Sequence, residues 1–214
     1  MPHEPKAALG LLLCFFFTTL AWSAVHPHDY FTWGLEVFPA LVALAILALT
    51  YRRFQFTTLV YILITIHAGI LFVGGHYTYA AVPLFNWIRD HYHLVRNDYD
   101  RVGHFAQGFV PAMVAREVLL RNRIVLKKRW LFFIVVSICL AISAAYELLE
   151  WRVSLASGAS ADAFLGTQGD PWDTQEDMAT ALCGSVSALL LLSAWHDRLM
   201  ARLEERKARA AAAS

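Results

Sequence analysis

Cysteine is scarce in this chain: Cys14, Cys139 and Cys183 are all that 214 residues contain. Three thiols cannot pair completely and none lies in a CxxC, which excludes a disulfide frame and a cysteine-based zinc motif. All three fall inside apolar runs, so they read as buried small hydrophobes. Charge is thin as well. Asp, Glu, Lys and Arg make up 16% of the chain, against about 25% in ordinary soluble domains. The formal net charge of +1 gives no case for a nucleic-acid partner. There is no internal repeat, and polar residues within apolar stretches concentrate in the second half, which argues against an inverted-repeat transporter. No nucleophile motif or phosphate-binding loop announces a particular reaction.

What is present is apolar. The chain is 58% hydrophobic and 14% aromatic, with a mean hydropathy of +0.47. About 20 mostly apolar residues span a bilayer as a helix. Gly34 to Thr50, Thr57 to Gly75 and Trp130 to Leu149 meet this plainly, and Met178 to Trp195 nearly so. Leu9 to Val25 is apolar but short. Its "AWS", Ala21 to Ser23, leaves a cleaved signal peptide as an alternative. The weak leading charge, with Glu4 beside Lys6, and the Trp-rich stretch that follows favour a retained helix.

Val102 to Leu120 carries His104, Gln107, Pro111, Arg116 and Glu117, and hydropathy alone would leave it on the surface. The distribution of basic residues decides otherwise. Arg52 and Arg53 follow the second span. Arg121, Arg123, Lys127, Lys128 and Arg129 follow Val102 to Leu120, and Arg198, Arg202, Arg206, Lys207 and Arg209 follow the last. The positive-inside rule wants all three groups in the cytoplasm, and that requires Val102 to Leu120 to cross.

The expected fold is therefore all-α, a polytopic membrane bundle forming a single integral-membrane domain over 1–214. Its six transmembrane helices lie near 9–25, 34–50, 57–75, 102–120, 130–149 and 178–195, with both termini cytoplasmic. Cleavage after Ser23 would leave five. The outer segments are a short one at His26 to Trp33, an aromatic-rich loop 76–101, and an acidic loop 150–177 that holds Gly158, Gly166 and Gly169.

On this topology the unusual polar residues gather at one depth. Asp100 and His104 are four apart at the outer end of the fourth span, so they share a helical face, and Gln107 and Pro111 continue that stripe inward. Ser143, Glu147 and Glu150 lie at the outer end of the fifth span. Asp173 and Asp177 open the sixth. A local account exists for some of these. Thr174-x-x-Asp177 fits a capping box, and first-turn acids complement the helix dipole. Asp100 beside Arg101 is an interfacial ion pair, and Glu150 reaches the headgroups. His104 and Glu147 are harder to explain locally, because a charged side chain at the bilayer centre costs about 2.5–3.5 kcal/mol on insertion scales. Such residues face the bundle and have partners.

The runs "YDRVGHFAQGFVPA", "GDPWDTQEDM", "HYTYAAVPLFNWIRD" and "AISAAYELLEW" resemble the YjdF-like family of bacterial inner-membrane proteins. The resemblance covers nearly the whole chain, from "WSAVHPHDYFTW" to the last helix, and implies a multi-pass protein of the bacterial inner membrane. A looser likeness reaches the VanZ-like proteins, linked to glycopeptide antibiotic resistance. Their Asp-x-x-x-His, later Glu and spaced Asp residues before a small-residue helix look like Asp100/His104, Glu147, and Asp173/Asp177 with Gly184. Here Glu147 is followed by Leu-Leu-Glu, where the VanZ-like pattern tends to have Gln. Neither resemblance implies a particular reaction.

Two classes of function follow. One is an enzyme in the membrane acting on a lipid or lipid-linked substrate at the outer leaflet. His104, Asp100, Glu147, Asp173 and Asp177 are its candidate catalytic residues, and Arg101, His76 and Gln107 its candidate substrate contacts. His104, Glu147, Asp173 and Asp177 are also candidate ligands for a divalent metal ion, Mg²⁺ or Mn²⁺ by oxygen preference or Zn²⁺ with the His. Without a metal, His104 oriented by Asp100 would act as general base, with Glu147 as acid. The other class is a non-enzymatic binding or assembly module whose polar cluster fixes helix packing, with Ala181, Gly184, Ser185 and Ala188 giving close contact in either case. A small-solute or proton pathway is a third, weaker choice.

Overall fold

A computed structural model describes residues 6–157 and 167–212. Gly158 and Gly166 of the acidic outer loop, and Glu4 ahead of the first helix, lie outside the described residues. The described chain is helical and contains no strand: α1 (Lys6–Ser23), α2 (Tyr30–Thr50), α3 (Thr58–Tyr77), α4 (Pro83–Tyr92), α5 (Tyr99–Arg121), α6 (Lys128–Ser157) and α7 (Asp173–Ala212), with a short 3₁₀ turn at Tyr79–Ala81. By length and composition, α2, α3, α6 and α7 are the four able to cross a membrane.

Each of the six expected stretches is helical, but several ends move. α2 begins at Tyr30, four residues before Gly34, because Asp29 caps it by accepting the Thr32 backbone N–H at 2.6 Å. This carries Glu36 about two turns into the helix, where it is buried. α6 runs on through Glu150 to Ser157, so Glu150 belongs to a helix and not to a loop. α7 has 40 residues, about 60 Å of helix. That is twice a hydrocarbon core, and the basic part after Trp195 continues the rod past the apolar part.

α4 is the element that the sequence reading left inside the loop 76–101. Pro83 stands at its first position, where a fixed φ suits helix entry, and His93 ends it in the left-handed region, donating its N–H to the Arg89 carbonyl. Leu84 and Trp87 are exposed on one side, and the Trp87 ring stacks on His91 at 5.1 Å.

α5 is polar for a spanning length and is also the most enclosed helix. Gly103, His104, Ala106, Gly108, Val110, Ala112, Met113, Arg116 and Glu117 are all buried, against α3, α6 and α7. Its polar residues face protein, where partners replace water. α5 and α7 run parallel at backbone contact. A Cβ on Gly108 would lie 1.8 Å from the Ala181 carbonyl oxygen, and one on Gly184 2.1 Å from that of Phe105. Cys139 is buried beside this core, whereas Cys14 and Cys183 are exposed on outward apolar faces. The expectation of three buried thiols therefore fails for two, because apolar runs here have an outer side.

A buried polar lock joins the start of α3, the last turns of α5 and α7 at His196. The Glu117 carboxylate accepts the Thr57 backbone N–H at 2.9 Å, the Thr57 hydroxyl at 2.8 Å, Arg121 at 2.6 Å and His196 Nε2 at 2.9 Å. Arg116 Nη1 sits 3.1 Å from His196 Nδ1. A guanidinium only donates, so Nδ1 is the unprotonated nitrogen and Nε2–H points at Glu117. Arg116 also reaches Asp197 at 2.5 Å. The far ends of α5 and α7 are thereby held in register with this one.

Candidate functional site

The other end of the α5/α7 pair holds the acids. Thirteen residues separate His104 from Glu117, about 20 Å along the helix. His104 is 5% exposed, and oxygen atoms face both its nitrogens. On one side Gln107 Oε1 lies 3.2 Å from Nδ1 and Glu147 Oε1 lies 3.7 Å from it. On the other, Asp100 Oδ1 and Asp177 Oδ2 lie 3.5 Å and 3.7 Å from Nε2. Three consecutive long helices, α5, α6 and α7, thus meet at one imidazole.

Above this centre sits a layer of two arginines. Arg96 bridges Asp173, Asp170 at 3.3 Å and Asp100 at 3.5 Å, and its Nε lies 3.8 Å from Asp98. Arg101 bridges Asp177, Glu176 at 2.7 Å, Asp173 at 3.2 Å and Asp170 at 3.4 Å. Two cations thus face six carboxyl groups, and every one of those bridges except the two to Asp98 and Asp100 joins α5 or its lead-in to α7 or its lead-in. Gln168 adds a clamp between the same two loops. Its side-chain amide pairs with the Asn97 backbone, accepting from the N–H at 2.9 Å and donating to the carbonyl at 2.9 Å.

The expected site residues divide accordingly. Asp100, His104, Gln107, Glu147 and Asp177 come together around the imidazole. Asp173 is buried on the same turn of α7 but belongs to the arginine layer. Arg101 is engaged by α7 carboxylates rather than turned outward. The carboxylate of Asp177 is shared between Arg101 and His104, and the expected capping box is not formed, because Thr174 lies inside α7, which starts at Asp173, and its side chain bonds Glu147. His76 is elsewhere. Its Nδ1 bonds the Ser23 carbonyl at 3.1 Å and its ring packs on Trp22 at 4.5 Å, tying α1 to α3.

Several contributors escaped the sequence reading. Arg96 lies before α5, outside any helical spacing. Glu36 comes from α2, bonded by the Tyr79 hydroxyl and within electrostatic range of Asp100. Burial pushes the Tyr79 phenol well above its ordinary value, so it stays a donor to Glu36. An acid two turns inside an apolar helix is a functional signal in its own right, and Glu36 was legible on that ground. His67 of α3 also lies within electrostatic range of His104.

A helical bundle with long apolar helices around a buried His–carboxylate centre defines a polytopic membrane protein with a polar intramembrane site. The comparisons agree with that class. The family described as "Predicted membrane protein (DUF2238)" matches residues 8–198. The Inner membrane protein YjdF of Escherichia coli (strain K12) is 48% identical over 183 residues, covering 86% of this chain and 88% of that protein. The chain belongs to this family and is a multi-pass protein of the bacterial inner membrane. No solved structure matches it. Nothing in these comparisons links it to the VanZ-like proteins.

Proposed function

We propose that the His104 centre is the active site of a membrane-embedded enzyme acting on a lipid or lipid-linked substrate at the outer leaflet, in a single six-span domain with both termini cytoplasmic. The observation that carries this reading is the burial of one imidazole among the side chains of Asp100, Gln107, Glu147 and Asp177, drawn from three helices. Packing alone needs matched partners, and this set has more acceptors than donors. In the reaction His104 takes the proton-transfer role, Asp100 and Asp177 hold charge beside Nε2, and Glu147 serves the Nδ1 side. Placement of the site near a membrane interface is supported by the exposed aromatics Trp22, Tyr30, Trp87, Tyr92, Trp151 and Trp172 near the same ends of the helices, where interface belts form, and the side rests on the basic clusters at the opposite ends.

The second reading, a binding or assembly module, is favoured by the arginine layer, which ties two loops together as a purely structural device would. Native mass spectrometry of the purified protein separates the two. A stoichiometric lipid retained by the parent and lost from His104→Gln at unchanged melting temperature supports the enzyme. Absence of any retained lipid, with His104→Gln merely less stable, overturns it in favour of the module. Reporter fusions at Arg53, Lys128 and the C-terminus read cytoplasmic on the proposed topology, and a fusion after Gly158 reads extracytoplasmic. An outer signal at Lys128 removes α5 from the membrane and the site with it.

A further inference from the structure

The oxygens around His104 are individually oriented, and their orientation is what a metal centre requires. Asp100 places Oδ2 3.5 Å from Arg96 and turns Oδ1 to His104 Nε2 at 3.5 Å. Asp177 gives Oδ1 to Arg101 and turns Oδ2 to Nε2 at 3.7 Å. Gln107 Oε1 accepts from Nδ1–H at 3.2 Å, which leaves the lone pair on Nε2. Each of the three groups is therefore tethered through its other polar atom and directs the remaining one to a common point. One ligand atom from each of Asp100, His104 and Asp177 lies within 4.8 Å of the other two.

Two ligands bound at 2.0–2.1 Å with tetrahedral angles stand about 3.3 Å apart. The two pairs at Nε2 stand 3.5 Å and 3.7 Å apart, and the two carboxylate oxygens lie within 4.8 Å of each other, so the two carboxylates must draw together around an ion to complete the geometry. In this neutral tautomer a lone pair facing two carboxylate oxygens is repulsive until a proton or a metal cation lies between them. A second observation points the same way. Glu147 is 7% exposed, yet its Oε1, directed at the imidazole, has no hydrogen-bond partner, and neither has the fully buried Ser143 Oγ one turn inward. Oxygen atoms stranded unpaired in a low-dielectric interior are costly. A bound ion with its own water molecule would supply partners.

We propose that Asp100 Oδ1, His104 Nε2 and Asp177 Oδ2 bind a divalent transition-metal ion of the Zn²⁺ or Mn²⁺ class, with Arg96, Arg101 and Gln107 orienting the ligands from behind and a fourth position left to water or substrate. One nitrogen with two carboxylates disfavours Mg²⁺ and Ca²⁺, which take oxygen throughout. Three protein ligands and an open position are the arrangement of catalytic rather than structural zinc. This inference rests on reading the His104 centre as a reaction site, and it adds the cofactor.

The test uses the full-length protein in detergent or nanodiscs. Elemental analysis should find one equivalent of zinc or manganese per chain. After chelation, titration with Zn²⁺ or Mn²⁺ alone should raise the melting temperature and saturate at one equivalent. His104→Gln and Asp177→Asn should abolish the saturable rise. Gln107→Ala should weaken metal affinity about 10–100-fold, as the loss of an orienting partner does, while Asp90→Asn, exposed and paired only with its neighbour Arg89, should bind as the parent does. A stripped parent protein that shows no saturable response to either ion overturns the proposal, whatever the variants do. So does an Asp177→Asn variant that still binds one equivalent at parental affinity. If lipid retention persists and depends on His104 while no metal binds, the metal falls and the enzyme reading stands. If one metal binds and no lipid is retained, the metal stands alone.

Discussion

Gly108 is where the packing that aligns both ends of the bundle is most sharply tested. A methyl group there would meet Ala181 backbone atoms at 1.8 Å, 2.6 Å and 2.9 Å. Carbon and oxygen rest near 3.3 Å in such helix contacts, so α5 and α7 would have to separate by about 1.5 Å. A radial gap of 0.5–1 Å already forfeits a quarter to a half of a dispersion contact, and overpacking costs about 1–3 kcal/mol before further rearrangement. For a chain of this size that lowers the melting temperature by about 2–12 °C. The same separation would stretch the 2.9 Å bond from His196 to Glu117 and the 3.7 Å approach of Asp177 to His104, so metal or lipid retention should fall with stability. Gly34→Ala is the internal control, since a Cβ there meets nothing within 4 Å and alanine is about 1 kcal/mol the better helix former. Thermal unfolding in one detergent, followed by circular dichroism, reads both variants. Ala181→Gly should not rescue Gly108→Ala, because the atoms met are backbone. If Gly108→Ala melts with the parent, or if Ala181→Gly restores it, the account of this interface is wrong.

At the other end of the α5/α7 pair, Glu117→Ala strands Thr57 N–H, Arg121 and His196 together and should cost about 3–5 kcal/mol, as broken buried pairs do; a loss under about 1 kcal/mol by equilibrium unfolding refutes the lock. Asp29→Ala should cost about 0.5–2 kcal/mol, as N-cap losses do. The Thr32 N–H holds the Asp29 carboxyl below its ordinary value. Its contribution is therefore present above the unfolded-state pKa and lost as pH falls through the lowered folded value, so the parent and variant melting curves should converge in acid and differ at neutral pH. Gln168→Ala removes two hydrogen bonds to Asn97, and hydrogen exchange at the Asn97 amide should accelerate without change at Glu117; equal protection in both proteins counts against the clamp.

The helices were legible in the sequence because each apolar run is long and each has a polar stop. α5 was the exception: it is a helix, but hydropathy does not mark it as a span, and α2, α3, α6 and α7 are the four that length and composition allow to cross. Its eleven buried positions include Asp100, His104, Arg116 and Glu117, and a helix surrounded by protein has no need of an apolar surface. α4 went unrecognised for the opposite reason. Ten residues are too few for a periodic signal, and the Tyr, Trp and His that suit an interface suit an interfacial loop equally well. The start of α2 was missed because Asp29 acts three residues ahead, through a backbone N–H, while hydropathy rises only at Gly34.

Within the site, helical spacing correctly put Asp100 with His104 on one face and Asp173 with Asp177 on another. What spacing could not supply is the axial offset between helices, which decides the partner each side chain meets. Asp173 and Asp177 share a face of α7, yet one turn places Asp173 wholly among Arg96 and Arg101 and lets Asp177 reach His104 as well. That offset is set by Gly108 against Ala181 and Gly184 against Phe105, and it is held from the far end by Glu117 and His196, which stand 79 positions apart in the chain. A shift of α7 by one residue, about 1.5 Å along its axis with a turn of about 100°, would carry Asp177 off the imidazole while leaving every sequence motif intact. The arrangement around His104 therefore depends on small residues in the middle of the bundle and on a salt-bridged lock at its other end, neither of which resembles a site when read one segment at a time.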